Sequence, residues 1–158
     1  MASFVFAVTA VETMLLYPNV FREVPESLVR AEEFMSVVAV GDVMRPLGGA
    51  LLLTGLVAVV VSLWGRLARG WTIAAFLTVL FGLGVLSTMY QWPRATILYD
   101  ERDQHTRAEI DRAATEFLIG QGFRIAFAAL AALFAILAAL RCYRERVLAT
   151  AERPAVSV

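Results

Sequence analysis

With 158 residues, a formal net charge of +0 and 59% hydrophobic side chains, the chain is too apolar for a soluble enzyme of polar metabolites and lacks the basic excess that nucleic acid requires. Its single cysteine, Cys142, excludes an internal disulfide and any Cys-x-x-Cys redox pair. A mean hydropathy of +0.70 points instead to the bilayer.

The first apolar run covers residues 4–16. It reaches the roughly 17–25 helical residues that cross hydrocarbon only as a span over about 1–17, with Glu12 inside it. No Lys or Arg precedes it and Glu12 interrupts it, so a cleaved signal peptide is not expected. Residues 18–45 follow as a first outer segment. Pro25 suits the opening turn of a helix, and Leu28, Ala31, Met35 and Val38 then recur at helical spacing, with Glu26, Arg30 and Glu33 elsewhere around the axis. Gly41 and Asp42 are expected to interrupt this helix, and Pro46 to restart the chain as a second span over about 46–64.

A short link bearing Arg66 and Arg69 leads to a third span, about 71–90. The second outer segment, 91–120, has an apolar stripe of Ile110, Ala113, Ala114, Phe117 and Leu118, with Arg112 spaced to pair with Glu109 and Glu116. It enters a fourth span, about 121–140, through Gly120 and Gly122. The tail carries Arg141, Arg144, Arg146 and Arg153 against Glu145 and Glu152. Continuous apolar runs without alternation exclude a barrel. The expected fold is all-α: a single-domain integral membrane four-helix bundle over 1–158, with an amphipathic helical cap on the non-cytoplasmic side. Arginines beside the second link and in the tail place both termini in the cytoplasm, with the bacterial inner or plasma membrane as the expected setting. Ala128, Ala132, Ala135 and Ala139, with Gly48, Gly49, Gly55, Gly82 and Gly84, read as small residues that let helices approach closely.

Polar residues within the spans carry the functional reading. An ionised acid at mid-membrane costs on the order of 2.5–3.5 kcal/mol or more, so Glu12 is expected to face a cavity or a partner. Thr9 and Thr13 make the same stretch polar. Glu12 suits proton transfer, and Arg124 suits a forked contact with a phenolate, enolate or carboxylate. Arg45 lies at a span end where it can snorkel or meet substrate. His105, in Asp100-Glu-Arg-Asp-Gln-His105, is a third candidate for the chemistry. Tyr17, Asn19, Tyr90 and Trp92 gather at the outer boundary beside two prolines, Pro18 and Pro93, each expected to stop its helix. They read as a substrate-binding rim as well as an interfacial aromatic belt. No Glu-x-x-His pair or second histidine supplies a di-iron or bis-histidine haem site, so no metal or cofactor is expected.

Four short spans, a polar first helix, an outer connector and Gly120-Gln-Gly-Phe-Arg124 at the start of the fourth span resemble the small anthrone-oxygenase-like membrane proteins. That resemblance implies modification of polycyclic aromatic polyketides without an obvious cofactor, and it carries over Arg124 alone as a site residue. The expected function is therefore an integral membrane enzyme acting on a lipophilic, polyketide- or terpenoid-like molecule by proton transfer. Oxygenation, isomerisation and epoxide opening with cyclisation all fit. The alternative is a non-catalytic membrane subunit or lipid-binding protein. The expected partners are the lipid bilayer and a lipophilic substrate, with no nucleic acid and with homo-oligomerisation left open.

Overall fold

The apolar runs become four long helices in the computed structural model, which describes residues 1–151; Glu152 and Arg153 of the tail lie outside the described residues. They are α1 (Ala2–Val20), α3 (Val40–Gly65), α4 (Arg69–Asp100) and α5 (Arg107–Ala151), with the short α2 (Glu26–Phe34) between the first two. All four are long and apolar enough to cross a membrane, and no strand occurs among the described residues. α5 lies along both α1 and α4, and α4 lies along α3. α1 and α3 touch each other little, leaving a loose seam between them.

The helices extend beyond the expected spans, and several expectations change. Pro46 does not open the second span, because α3 already begins at Val40. Asp42 sits in the first turn, where its carboxylate accepts a bond from the Ala39 N–H at 3.1 Å and favours the positive helix end. Gly41 and Asp42 thus lie in the first turn of the second-span helix, with Pro46 inside it, and the outer helix that they were expected to interrupt has already ended at Phe34.

Pro18 and Pro93 also fail to stop their helices. A proline removes one N–H and crowds the carbonyl four residues earlier. Here each follows a wide π turn, Glu12–Leu16 before Pro18 and Ser87–Gln91 before Pro93. The extra residue in such a turn draws the crowded carbonyl aside, so the helix continues. Further π turns occur at Leu80–Val85 and Thr96–Asp100.

Most of the second outer segment is therefore continuous with the spans on either side. α5 runs unbroken through Gly120 and Gly122, and only residues 101–106 connect α4 to it. Its start is fixed by Thr106 and Glu109: the Thr106 N–H and hydroxyl both donate to the Glu109 carboxylate at 2.8 Å. Glu109 is thus committed to the cap and does not pair with Arg112, which bonds Glu116 at 2.8 Å instead.

α2 stops at Phe34, so only the first half of its expected stripe packs. Leu28 is fully buried, whereas Val38 is exposed. At this end of the molecule Tyr17, Val20, Leu28, Leu98, Ile110 and Phe117 close into an apolar cluster. Arg102 straps α2 to the connector by a forked contact with Glu32, at 2.9 and 3.1 Å. That bond pushes the Arg102 guanidinium above its ordinary range. A smaller cluster of Val5, Leu51, Val79 and Ala131 holds the helices together further along. At the opposite end the Glu145 carboxylate accepts the Ala68 N–H at 3.2 Å and also binds Arg141 at 2.7 Å. The link arginines and the α5 arginines therefore share one end.

The small residues divide into two sets. A Cβ on Gly82 would collide with Phe127, and one on Gly55 would come within 3.0 Å of Phe76, so these positions do admit close helix contact. Gly48 and Gly49 differ from expectation. Nothing lies within 4 Å of a Cβ built on either, because both face the open space described next.

Candidate functional site

That space is a cavity of about 730 Å³ bounded by α1, α3, α4 and α5, on the side of the α1–α3 seam. Its size suits a drug-sized molecule. Most of its wall is apolar, with Val5, Leu16, Leu52 and Leu83 among the lining side chains. Gly48, Gly49 and Gly84 keep its floor wide. A wall of this composition favours a lipophilic occupant, and the few polar groups in it determine how such a molecule is oriented.

Glu12 is one of them. It opens the π turn of α1, is 8% exposed, and has a buried Oε2 without a hydrogen-bond partner. Thr9, one turn earlier, is fully buried with its hydroxyl also unpartnered, while Thr13 donates to the Thr9 carbonyl at 2.8 Å. Arg124 reaches the same cavity from α5. Its Nη1 donates to the Gln121 Oε1 at 3.2 Å and its Nε is buried without a partner. Glu12 and Arg124 make no ion pair within 4.0 Å among the described residues, yet both line this cavity. They face a shared space and do not neutralise each other by contact.

Tyr17, Trp92 and Arg45 also line the cavity. Tyr17 is held edge-on against Phe117, with ring centres 5.1 Å apart, and stacks on Phe21. Arg45 lies 6.0 Å from the Trp92 ring, and Glu32, Asp42 and Asp100 add polar groups to the same cavity lining. The other candidates fall elsewhere. Asn19 is exposed and donates to the Leu15 carbonyl of its own helix at 2.6 Å. Tyr90 turns away from the cavity and takes the Arg94 guanidinium over its ring at 4.0 Å. The added residue of the preceding wide turn changes the face on which Tyr90 falls, which a simple 3.6-residue count does not foresee. His105 lies between Glu101 and Glu109, at 4.0 and 3.7 Å, beside a separate shallow groove with Arg102 and Arg107. These three are not part of the cavity wall.

Two residues of the site escaped sequence reasoning. Gln91 is 2% exposed, lines the cavity and ends the π turn of α4. Gln121 is fully buried behind Arg124. Both lie inside short motifs that drew attention for their proline or arginine. A neutral amide in an apolar run is a weaker signal than a charge, although burying one unpaired is still costly. Glu12 and Gln91 belong to wide turns on two different helices, and both line one cavity. Such turns recur at functional sites. Among the described residues, no group of three or more His, Cys, Asp or Glu side chains is placed to hold a metal ion.

No family model, curated protein or solved structure matches the chain.

Proposed function

We propose that the protein is an integral membrane enzyme that takes a lipophilic small molecule into the cavity and moves a proton with Glu12. One observation carries this reading: Glu12, with a buried carboxyl oxygen that has no partner, lines a largely apolar cavity that Arg124 also lines. Burial of such a group opposes stability, and active sites are where proteins retain it. The loose α1–α3 seam, widened by Gly48 and Gly49, supports access from the bilayer.

In this reading the outer apolar cluster and α2 form a cap on the non-cytoplasmic side of a four-helix bundle. Arg66, Arg69, Arg141, Arg144 and Arg146 mark the cytoplasmic end by the positive-inside rule. Single cysteines in a Cys142→Ser background test the orientation: Gln104→Cys is expected to label from outside and Arg66→Cys not, and the reverse inverts it.

The chemistry common to isomerisation and carbanion-based oxygenation is removal of a proton next to a carbonyl. The Glu12 carboxylate takes the proton as the C–H bond breaks. The electron pair moves onto the carbonyl oxygen, and the Arg124 N–H donors hold the resulting enolate. Solvent deuterium is then incorporated when the proton is returned. The test uses 2-tetralone with the purified protein in lipid nanodiscs in D₂O, with exchange at the α-carbon followed by mass spectrometry. Wild type is expected to accelerate exchange, and Glu12→Gln to lower that acceleration by roughly two or more orders of magnitude, the scale of general acid–base catalysis. Arg124→Lys is expected to impair it as well, since an ammonium cannot bond Gln121 and the enolate with the guanidinium geometry. Full exchange by a correctly folded Glu12→Gln protein overturns the assignment.

A further inference from the structure

Gln91 and Arg124 define what the cavity recognises, because the orientation of each side chain is fixed by a partner that accepts only one arrangement. The Gln91 Nε2 donates to the Phe117 carbonyl at 3.3 Å. A carbonyl cannot donate, so the amide must present its NH₂ there and its Oε1 to the other side. That Oε1 is buried and has no partner. Arg124 is a donor at every nitrogen, so the Gln121 Oε1 must face Arg124 Nη1, leaving the Arg124 Nε–H as an unpaired donor. Of the residues that line the cavity, Gln91 on α4 therefore keeps a buried unpaired acceptor and Arg124 on α5 a buried unpaired donor.

The fold holds Gln91 in place by more than one hydrogen bond. α5 passes the amide at Gly120, where a Cβ would lie 2.8 Å from the Gln91 Nε2 and 2.9 Å from Tyr90 Cδ1. Only a glycine lets the two helices close around that amide without displacing it. Gln91 also sits at the end of a wide turn, whose extra residue sets its direction. A buried, clamped amide with its oxygen left unpaired is a poor device for stability alone.

We propose that Gln91 is a ligand-binding residue whose Oε1 accepts a hydrogen bond from a hydroxyl of the occupant while the Arg124 Nε–H donates to a second oxygen, so that the cavity selects lipophilic hydroxy-ketones. Gln121 and Gly120 are positioning residues, acting through Arg124 and Gln91 respectively. The assignment deepens the proposed function and rests on its premise that the cavity holds a lipophilic molecule. It does not require Glu12 to transfer a proton.

The probes are dodecyl phenyl ketones bearing a ring hydroxyl at the ortho, meta or para position, each beside its methyl ether. Binding to the full chain in nanodiscs is read by tryptophan fluorescence, since Trp92 lines the cavity. Wild type is expected to bind at least one hydroxy-ketone about tenfold more tightly than its ether, because the ether leaves the buried acceptor unpaired. Gln91→Leu is expected to bind the two alike while keeping affinity for the ether. Gly120→Ala retains the amide but displaces it, and is expected to narrow the preference without abolishing binding, which guards against a folding defect in Gln91→Leu. Equal binding of every hydroxy-ketone and its ether by wild type, or undiminished preference in both variants, overturns this assignment alone. Failure of every probe to bind overturns the lipophilic-cavity reading and this assignment with it.

Discussion

Two neighbouring stretches of α5 lie against opposite kinds of surroundings. Near its start Ile110, Ala113 and Phe117 are buried in an apolar cluster, and the adjacent charges pair: Arg94 and Arg112 both bind Glu116, at 3.0 and 2.8 Å. One to two turns later Gln121 and Arg124 each keep a buried nitrogen without a partner, and Arg124 lines the same cavity as Glu12. Apolar burial and paired charges hold the first region together. The second retains unpaired groups that an enclosed, apolar setting penalises. The difference separates what the fold needs from what it tolerates, and substitutions in the two regions are expected to have opposite effects.

The largest expected effect is on chemistry. Glu12→Gln lowers exchange as described above, yet leaves the thermal midpoint near that of wild type, measured on the same sample; equal loss of both would erase the distinction between the regions. Phe117→Asp reverses the pattern. It places a charge among Tyr17, Phe21 and Ile110 and is expected to destabilise the protein by several kcal/mol, on the order of 3 or more, read as a fall in melting temperature. A wild-type midpoint would show that the outer cluster does not hold the helices together.

Smaller effects sharpen the contrast. Gly82→Ala forces a methyl against Phe127 and is expected to cost about 1–3 kcal/mol, since a well-packed contact has no room to yield. Glu12→Leu is expected to raise the melting temperature, by the equivalent of roughly 1 kcal/mol or more, because it removes a buried oxygen with no partner. A fall would show that Glu12 has a structural partner. Glu32→Gln breaks a forked but partly exposed pair and is expected to cost no more than about 1 kcal/mol, with exchange retained.

Much of this contrast was legible in the sequence, but unevenly. The four apolar runs announced four helices because hydrocarbon thickness sets a length that few soluble helices share. Glu12 and Arg124 stood out because a charge in an apolar run is expensive wherever it sits. The stripe on 110–118 was visible through its helical period, and Thr106-x-x-Glu109 carried a readable helix start that went unused. The continuations past Pro18 and Pro93 were not legible. They depend on wide turns, which leave no residue pattern that distinguishes them from ordinary helix, and proline alone argues for a stop. For the same reason Gln91 could not be placed on the cavity wall, and Tyr90 could not be taken off it. Gly48 and Gly49 show a related limit: small residues permit close approach, and whether a neighbour takes the space depends on helices far away in the chain.

The unbroken length of α5 gives the contact at Gly82 a mechanical meaning. At 1.5 Å per residue its 45 residues form a rod roughly 65 Å long, and Phe127 bears on Gly82 close to its middle. A rod that tilts about such a fulcrum moves most at its ends and least beside the pivot. Arg124 stands three residues from Phe127, whereas Ile110 stands seventeen away, about 25 Å along the axis. Any tilt of α5 about that contact would displace Ile110 far more than the Arg124 guanidinium. The stretch that carries Arg124 is thereby mechanically insulated from the stretch that carries Ile110 and Phe117.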